Sequence, residues 1–308
     1  MKSLILSIIL SILANIAFAS PKQEINIIVP YPPGSTNDRW ARPLALDLEK
    51  QLDAVVTVKN MPGAANMVAI NQVLNGTDKG YSFILTINDF ITGPLFQDNN
   101  SYSQFQAVNI MGTLPFVVFG GKNSSQDKFK LQIQNHNTVN VGNNGINGSA
   151  ELWVSSLKSS LNINPIPYKG GTPLVSDVEG NQVEYGVMSI AGIYNFVKDG
   201  SLTPIMISSD RRSQAMPSVP TYRELGFKGS SAISWTGLFA RRDVPETIIK
   251  SVSKAVQESV MSDPVLQDFK NQGVHLVNLN YLDAEKFFQN EIIYYKKIKE
   301  NVKNDRLQ

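Results

Sequence analysis

Cysteine is absent from the 308-residue sequence, and histidine is limited to His136 and His275. Without cysteine the chain has no disulfides, no thiolate nucleophile and no thiolate metal ligand. Two distant histidines make a poor metal site, and no Gly-x-Ser-x-Gly elbow accompanies them as the nucleophile of a serine triad. Gly142, Gly145 and Gly148 do not reproduce the spacing of a dinucleotide-binding loop. We therefore expect no catalytic residue, no metal and no cofactor.

The sequence also lacks a large excess of either charge and has few long apolar runs. The formal net charge is +2, which provides no broad basic field for nucleic acid. One apolar run, over residues 4–18, follows Lys2 and ends in Ala17-Phe18-Ala19, a small-x-small site of the kind that signal peptidase cuts. The run is short for a membrane anchor and is interrupted by polar residues. We expect a signal peptide over residues 1–19, export to the periplasm, and no stable membrane insertion after cleavage near Ala19.

Short β-branched runs alternate with helical patterns through the rest of the sequence. This alternation predicts an α/β protein whose mostly parallel sheets are flanked by helices, and the length suits two domains. The first unit is a strand over 25–29 followed by a helix over 37–52. A later helix is predicted over 149–161, and a strand over 234–239 is expected to return to the first lobe. We predict one lobe from residues 20–119 plus 234–308, a second lobe from 120–233, and a hinge between them.

Three turns between a predicted strand and a predicted helix are candidate binding loops. Ligands of open α/β sheets bind beyond the carboxyl ends of strands, where helix N-termini present free N–H groups. The first turn, over residues 30–38, combines stiffening prolines with Gly34 and the hydroxyls of Ser35 and Thr36. The second turn covers residues 60–66, and the third covers 142–149. The first turn suits an anion, and together the three are suited to hold both ends of a small molecule.

Asp38, at the end of the first turn, has two interpretations. Near a helix start it complements the helix dipole, which is a structural role. A carboxylate at this place would repel an anionic ligand, so a functional role requires that it bind a ligand amine, a water molecule or the backbone of the loop itself. The sequence leaves both interpretations open.

Several segments carry motifs in a recognisable order. Residues 29–38 read Val-Pro-Tyr-Pro-Pro-Gly-Ser-Thr-Asn-Asp and are followed by Ala41-Arg42, and residues 58–64 read Val-Lys-Asn-Met-Pro-Gly-Ala. Further on come Pro167-Tyr168-Lys169-Gly170 and a Trp-x-Gly-Leu stretch over 235–238. These segments resemble the extracytoplasmic substrate-binding receptors of tripartite tricarboxylate transporters, the Bug receptors, over essentially the whole mature chain. The sequence departs from the family pattern at Ser35, Ala65, Asn66 and Asn147, which stand where glycine is usual, and at Glu151, where histidine is common.

The resemblance implies a type II periplasmic-binding-protein fold whose two lobes close on a carboxylate held by loop amides and bound water. It also implies delivery of the ligand to the membrane permease subunits of a tripartite transporter, and we expect a monomer. The ligand remains open among dicarboxylates, citrate, amino acids and aromatic acids. The expected ligand-binding residues are Tyr31, Gly34, Ser35, Thr36 and Asp38 from one lobe and Asn143, Asn144, Gly145, Gly148 and Tyr168 from the other.

Two other classes of function remain as alternatives. One is a receptor that presents its bound solute to a signalling partner, with Arg211-Arg212 and Arg241-Arg242 as docking charges, although paired charges on loops are more often solvated surface. The other is an enzyme on the same α/β layers, because fold class does not fix function. Trp235, in the returning strand, is interpreted as a core residue rather than a ligand contact.

Overall fold

The computed structural model describes residues 22–145, 148–157, 162–228 and 231–305. The predicted signal peptide therefore lies outside the described residues. Strands and helices alternate along the chain as the sequence predicts. The strands are β1 Glu24–Val29, β2 Val55–Asn60, β3 Tyr81–Ile87, β4 Phe105–Gly121, β5 Val139–Asn143, β6 Ile163–Pro167, β7 Tyr185–Ser189, β8 Leu202–Ile207, β9 Ile233–Arg241 and β10 His275–Leu279. The α-helices are α1 Thr36–Leu52, α2 Met67–Asn75, α3 Asp89–Phe96, α4 Gln126–Gln134, α5 Ser149–Ser156, α6 Gly171–Glu179, α7 Ile190–Lys198, α8 Glu246–Val260, α9 Asp263–Asn271 and α10 Tyr281–Asp305.

The strands form two parallel groups that meet at antiparallel neighbours. The order across the network is β2-β1-β3-β9-β4-β7-β5-β6, with β10 and β8 also paired to β4. β1 is parallel to β2 and β3, and β5 is parallel to β6 and β7. The pairs that involve β4 or β9 are antiparallel. The α/β class is confirmed, and the returning strand β9 joins the first group as expected.

Strand β4 belongs to both groups. Its residues from Phe105 to Pro115 pair with β9, and those from Phe116 to Gly121 pair with β7 and β8. The change of partner falls slightly before residue 119, where the first lobe is predicted to end. The division into lobes 20–119 plus 234–308 and 120–233 stays a prediction. One 17-residue strand nevertheless links the two sheet groups directly.

Buried aromatic and aliphatic side chains fill the space between sheets and helices. Trp235 is fully buried, packs at 5.5 Å from Phe239, and donates a 2.7 Å hydrogen bond from Nε1 to Glu291 on α10. The interpretation of Trp235 as a core residue is confirmed. Phe90 and Phe288 extend the same cluster, so α3 and α10 are fixed against β9.

Some elements differ from the sequence prediction. The helix predicted over 149–161 ends at Ser156, and residues 158–161 lie outside the described part of the chain. β4 begins at Phe105 rather than residue 114, and α3, α4 and β10 were not predicted. The missed α3 contains Gly93 and Pro94, which weaken the helical pattern although its packing is secured by tertiary contacts. Within the described ranges, no helix combines the length and apolarity that a bilayer crossing requires.

Candidate ligand-binding site

The first loop is held in shape by its own backbone and by the start of α1. Ser35 is the N-cap of α1 and its hydroxyl accepts a 3.3 Å hydrogen bond from the amide of Asp38. The amide of Ser35 donates to the carbonyl of Pro32 at 3.2 Å. Gly34 has φ +81° and open space around its Cβ position, so glycine is required there for conformation rather than for room. The loop therefore presents the first-turn amides of α1, which have no partner within the helix.

Asp38 is almost fully buried behind this loop and binds the loop itself. Its carboxylate accepts hydrogen bonds from the amide of Gly34 at 2.8 Å, from Asn60 Nδ2 at 2.9 Å and from Arg42 at 2.8 Å and 3.2 Å. Burial by itself raises the pKa of Asp38, but these hydrogen bonds outweigh it and lower the pKa below its ordinary value. Of the roles left open by the sequence, contact with the loop backbone is observed, and Asp38 acts here as a positioning residue.

Asn60 joins the first loop to the second. Its side-chain amide donates to the carbonyl of Tyr31 at 3.0 Å as well as to Asp38. The second loop then turns through Ala64, Ala65 and Asn66, all with positive φ. Left-handed backbone is unfavourable for residues with a Cβ, and Ala65 and Asn66 stand where the resemblance leads one to expect glycine. This strained turn places the buried Asn66 side chain toward β3.

A chain of hydroxyl and amide groups connects Asn66 to the first loop. Thr86 donates from Oγ1 to Asn66 Oδ1 at 3.3 Å, and the hydroxyl of Tyr31 lies 3.3 Å from Thr86 Oγ1. Because the Thr86 proton is committed to Asn66, Tyr31 is the donor in this second contact. Burial, and then the nearby negative charge of Asp89, raise the pKa of Tyr31. Tyr31 is therefore a neutral hydrogen-bonding group that retains some accessible surface.

The third loop, after β5, is organised by Asn143. Its Oδ1 accepts from the amide of Gly145 at 3.1 Å, while its Nδ2 is buried and has no partner among the described residues. Gly148 is the N-cap of α5, and its amide donates to the carbonyl of Gly145 at 3.2 Å. Asn144 and Gly145 keep accessible surface. Residues 146 and 147, with the Asn147 departure, lie outside the described ranges.

Asp89 connects the third loop to β3. It is the first residue of α3, and its Oδ1 accepts hydrogen bonds from the amide of Ser149 at 3.1 Å and from the Ser149 hydroxyl at 3.0 Å. Burial raises the pKa of Asp89, and the two bonds from Ser149 oppose that rise. The contact brings the start of α5 against the end of β3. The loops after β1, β2, β3 and β5 thus meet around Tyr31 and Asp89.

Tyr168 follows β6 and is tied to its own side of the molecule. Its amide donates to the carbonyl of Asn143 at 2.9 Å, and its hydroxyl donates to Asp177 Oδ2 at 2.9 Å. Its ring also lies against the backbone of Gly142, where an added Cβ would come within 3.0 Å. Tyr168 is partly exposed, and its hydroxyl is already paired with Asp177.

The structure thus brings the predicted residues of the first and third loops to one region, and ligand contact by the ten predicted residues stays a prediction. Sequence reasoning did not single out Thr86 or Asp89, and it placed Ser149 in the third loop without naming it as a binding residue. Thr86 and Asp89 lie at the carboxyl end of β3. The three candidate loops were chosen because they follow the carboxyl ends of strands, so the same rule could have pointed to these two residues.

The architecture is that of periplasmic binding proteins. BugD, described as a periplasmic binding protein, has a solved structure that superposes with a TM-score of 0.81 at 22% identity, covering 92% of this chain and 98% of BugD. Rpa4515 of R. palustris, solved with adipate, gives a TM-score of 0.81 at 20% identity over 91% of this chain and 97% of its own. The family model of the tripartite tricarboxylate transporter family receptor matches residues 40–303, and the chain belongs to this family. Protein BugT of Bordetella pertussis is 27% identical over 264 residues, 82% of this chain and 81% of BugT.

Proposed function

We propose that this protein captures a small carboxylate-bearing metabolite between two lobes and delivers it to the membrane permease of a tripartite transporter. The observation that carries the proposal is the meeting of four strand-end loops around Tyr31 and Asp89, with the N-termini of α1 and α5 at this place. Membership of the receptor family and the adipate bound to the related Rpa4515 support a carboxylate ligand.

The first loop supplies the carboxylate anchor in this proposal. The amides at the start of α1 point out of the helix, and the helix dipole favours an anion there. Asp38 does not oppose the anion strongly, because its charge is already paired with Arg42 and Asn60 behind the loop. The Nδ2 of Asn143, which has no partner among the described residues, is a further donor for a ligand oxygen.

Binding, rather than turnover, is the proposed event. Tyr31 remains protonated because its pKa is raised, and its one hydroxyl proton is donated to Thr86, so it cannot serve as a base near neutral pH. Asp38 is occupied by the loop that it holds. Export to the periplasm through the predicted signal peptide over 1–19 completes the proposal, since such receptors meet their ligands outside the cytoplasm.

A thermal-shift screen of the protein from residue 20 onward tests the function. The panel contains mono-, di- and tricarboxylates and amino acids, and calorimetry follows on each hit. A ligand that binds only the folded state raises the melting temperature, and the stabilisation grows with the logarithm of one plus the ratio of ligand concentration to Kd. A shift with one class of acid, without consumption of that acid, supports a receptor. A folded protein that responds to no carboxylate contradicts the proposal.

Two glycine variants test the site. Gly34→Pro removes the amide that donates to Asp38 and forces φ away from +81°, and Gly145→Pro removes the amide that binds Asn143. Both are expected to abolish binding while the fold persists. Gly200→Pro is a matched control for Gly34→Pro, because Gly200 also has φ +81°, open space at Cβ and a donating amide, but lies between α7 and β8. Unchanged affinity in both loop variants would remove the site assignment.

A signalling receptor is the second candidate. Three of the four arginines considered as docking charges form ion pairs within the chain: Arg212 with Glu224, Arg241 with Asp243, and Arg242 with Glu285. These pairs favour the interpretation as solvated surface. Cells that lack the protein should lose uptake of its ligand, whereas loss of a transcriptional response with normal uptake would favour signalling.

A further inference from the structure

The N-terminus of α5 already holds a carboxylate, and that carboxylate belongs to the protein. Asp89 Oδ1 accepts both the amide and the hydroxyl of Ser149, the first residue of α5. These are the groups that a helix N-terminus offers to an anion. A ligand carboxylate that approached the same place would find its donors occupied and would face a negative charge.

The charge of Asp89 lacks a cationic partner. Its position at the start of α3 gives it the favourable end of one further helix dipole, but no lysine, arginine or histidine of the described chain forms an ion pair with it. The groups that sense its charge are the hydroxyls of Tyr31 and Tyr295. A carboxylate surrounded by protein without a cation is costly, and the cost falls when a cation binds beside it.

One carboxyl oxygen of Asp89 is unused within the described residues. Asp89 keeps accessible surface, and its Oδ2 accepts no hydrogen bond from the residues that the structure describes. Within the third loop, the Oδ1 of the fully buried Asn143 accepts from Gly145, and its Nδ2 has no partner in the described part of the chain. Among the described residues, the region therefore has one carboxyl oxygen and one side-chain amide nitrogen without a hydrogen-bond partner.

We propose that Asp89 selects a ligand carrying an ammonium group as well as a carboxylate, that is, an amino acid or related amino-carboxylate, over the matching dicarboxylate or deaminated acid. This inference rests on the proposed function. The ammonium group pairs with Asp89 Oδ2, and the ligand carboxylate is held by the amides of the first loop with the help of Asn143. A second carboxylate in place of the ammonium group would lie against Asp89 and be repelled.

Matched ligand pairs test the proposal on the wild-type protein. The pairs are 4-aminobutyrate with succinate, 6-aminohexanoate with adipate, and leucine with 4-methylpentanoate. In the first two pairs an aminomethyl group replaces a carboxylate, and in the third an ammonium group replaces a hydrogen. For at least one pair, calorimetry is expected to show the amine-bearing member binding about tenfold tighter or more. Equal or weaker binding of the amine-bearing member in the pairs that bind overturns the proposal.

Asp89→Asn then tests the residue itself. The amide keeps the size of the side chain and an oxygen for Ser149 but removes the charge, so the preference for the amine-bearing member should fall by about tenfold. Asp127→Asn, at the exposed first turn of α4, is the matched control and should keep the wild-type preference. If Asp89→Asn keeps the wild-type preference for the amine-bearing ligand, Asp89 has only a structural role, as a contact between α3 and α5.

The outcomes separate this inference from the proposed function. Binding of succinate or adipate in preference to its partner refutes the role of Asp89 but supports a carboxylate receptor. Absence of binding by every carboxylate-bearing compound, with the protein folded, refutes both. If Asp89→Asn does not fold, the comparison of matched ligands on the wild-type protein still decides the proposal.

Discussion

At the scale of single residues, the carboxyl groups of Asp38, which is buried, and Glu291, which is partly buried, illustrate opposite electrostatic situations. Asp38 is surrounded by donors, and its pKa is lowered despite burial. Glu291 has one hydrogen bond, from Trp235, and burial raises its pKa to about 7. A carboxyl group with several donors favours the charged form, and one in apolar surroundings favours the neutral form. Asp38 therefore contributes more to stability as pH rises, and Glu291 contributes more as pH falls.

Asp38→Asn is expected to destabilise the protein by about 1–3 kcal/mol and to weaken ligand binding, because the amide cannot accept all the bonds that shape the first loop. The pKa of Asp38 is lower in the folded state, so its contribution is present above the unfolded pKa and is lost as pH falls through the folded pKa. Urea unfolding at pH 7 measures the loss. Asp127→Asn should stay within about 0.5 kcal/mol of wild type, and an equally stable Asp38→Asn would contradict the positioning role.

Glu291 should make the protein less stable as pH rises. Its folded pKa is above its unfolded value, so the neutral form stabilises the folded state below pH 4.5, and this contribution is lost as pH approaches about 7. Glu291→Gln should remove a difference on the order of 1–3 kcal/mol between pH 5 and pH 8, measured by thermal unfolding. Glu300→Gln, exposed on the same helix, should retain the wild-type pH dependence. A pH dependence that survives in Glu291→Gln would assign it to another group.

At the scale of elements, α3 supports the strained second loop. A Cβ on Gly93 of α3 would lie 2.3 Å from the carbonyl oxygen of Ala65. That turn carries Asn66, which connects through Thr86 to Tyr31. The helix α3, which was not predicted, thus packs directly against the second loop, which was. The packing of α3 and the shape of the candidate site are therefore coupled.

Gly93→Ala should destabilise the protein by about 1–3 kcal/mol and weaken binding, because the backbone of the second loop must move to admit the methyl group. Thermal unfolding and calorimetry measure the two effects. Gly145→Ala is the control for stability, since it has nothing within 4 Å of its Cβ position and no positive φ. Normal affinity in a destabilised Gly93→Ala would show that the site tolerates movement of this turn.

At the scale of the whole molecule, β4 makes the two sheet groups one structural unit. Its first part pairs with β9 and its second part with β7 and β8, so neither group can unfold without loss of ladder hydrogen bonds in the other. The tryptophans report on both groups: Trp235 packs with the first, and Trp153, on α5, packs with Phe116 and Tyr222 near the second.

Unfolding is therefore expected to be a single transition. Two single-tryptophan variants, one keeping Trp153 and one keeping Trp235, should lose their fluorescence signals at midpoints that coincide with the circular dichroism midpoint of the same variant. Agreement within about 2 °C supports one cooperative unit. Two transitions within one variant, with fluorescence following only one of them, would mean that the lobes unfold separately.

Hydrophobic periodicity and turn residues were sufficient to predict the α/β class, the principal strands and the loops at 30–38, 60–66 and 142–149. These are local properties, since a strand or a helix start is encoded within a few residues. The helix α3, in which Gly93 and Pro94 interrupt the helical pattern, was missed. The start of β4 was placed at residue 114 instead of Phe105, because this strand continues past a change of partner near Pro115.

The contacts between loops were decided by the tertiary structure. No local pattern places Asp89 against Ser149, 60 positions later, or Asn60 between Tyr31 and Asp38, because these partners meet only after the sheets have formed. The same holds for the charge of each group. The sequence determined that residues 38 and 89 are acidic, and folding decided that Asp38 accepts bonds from Gly34, Asn60 and Arg42, whereas among the described residues only Ser149 donates to Asp89.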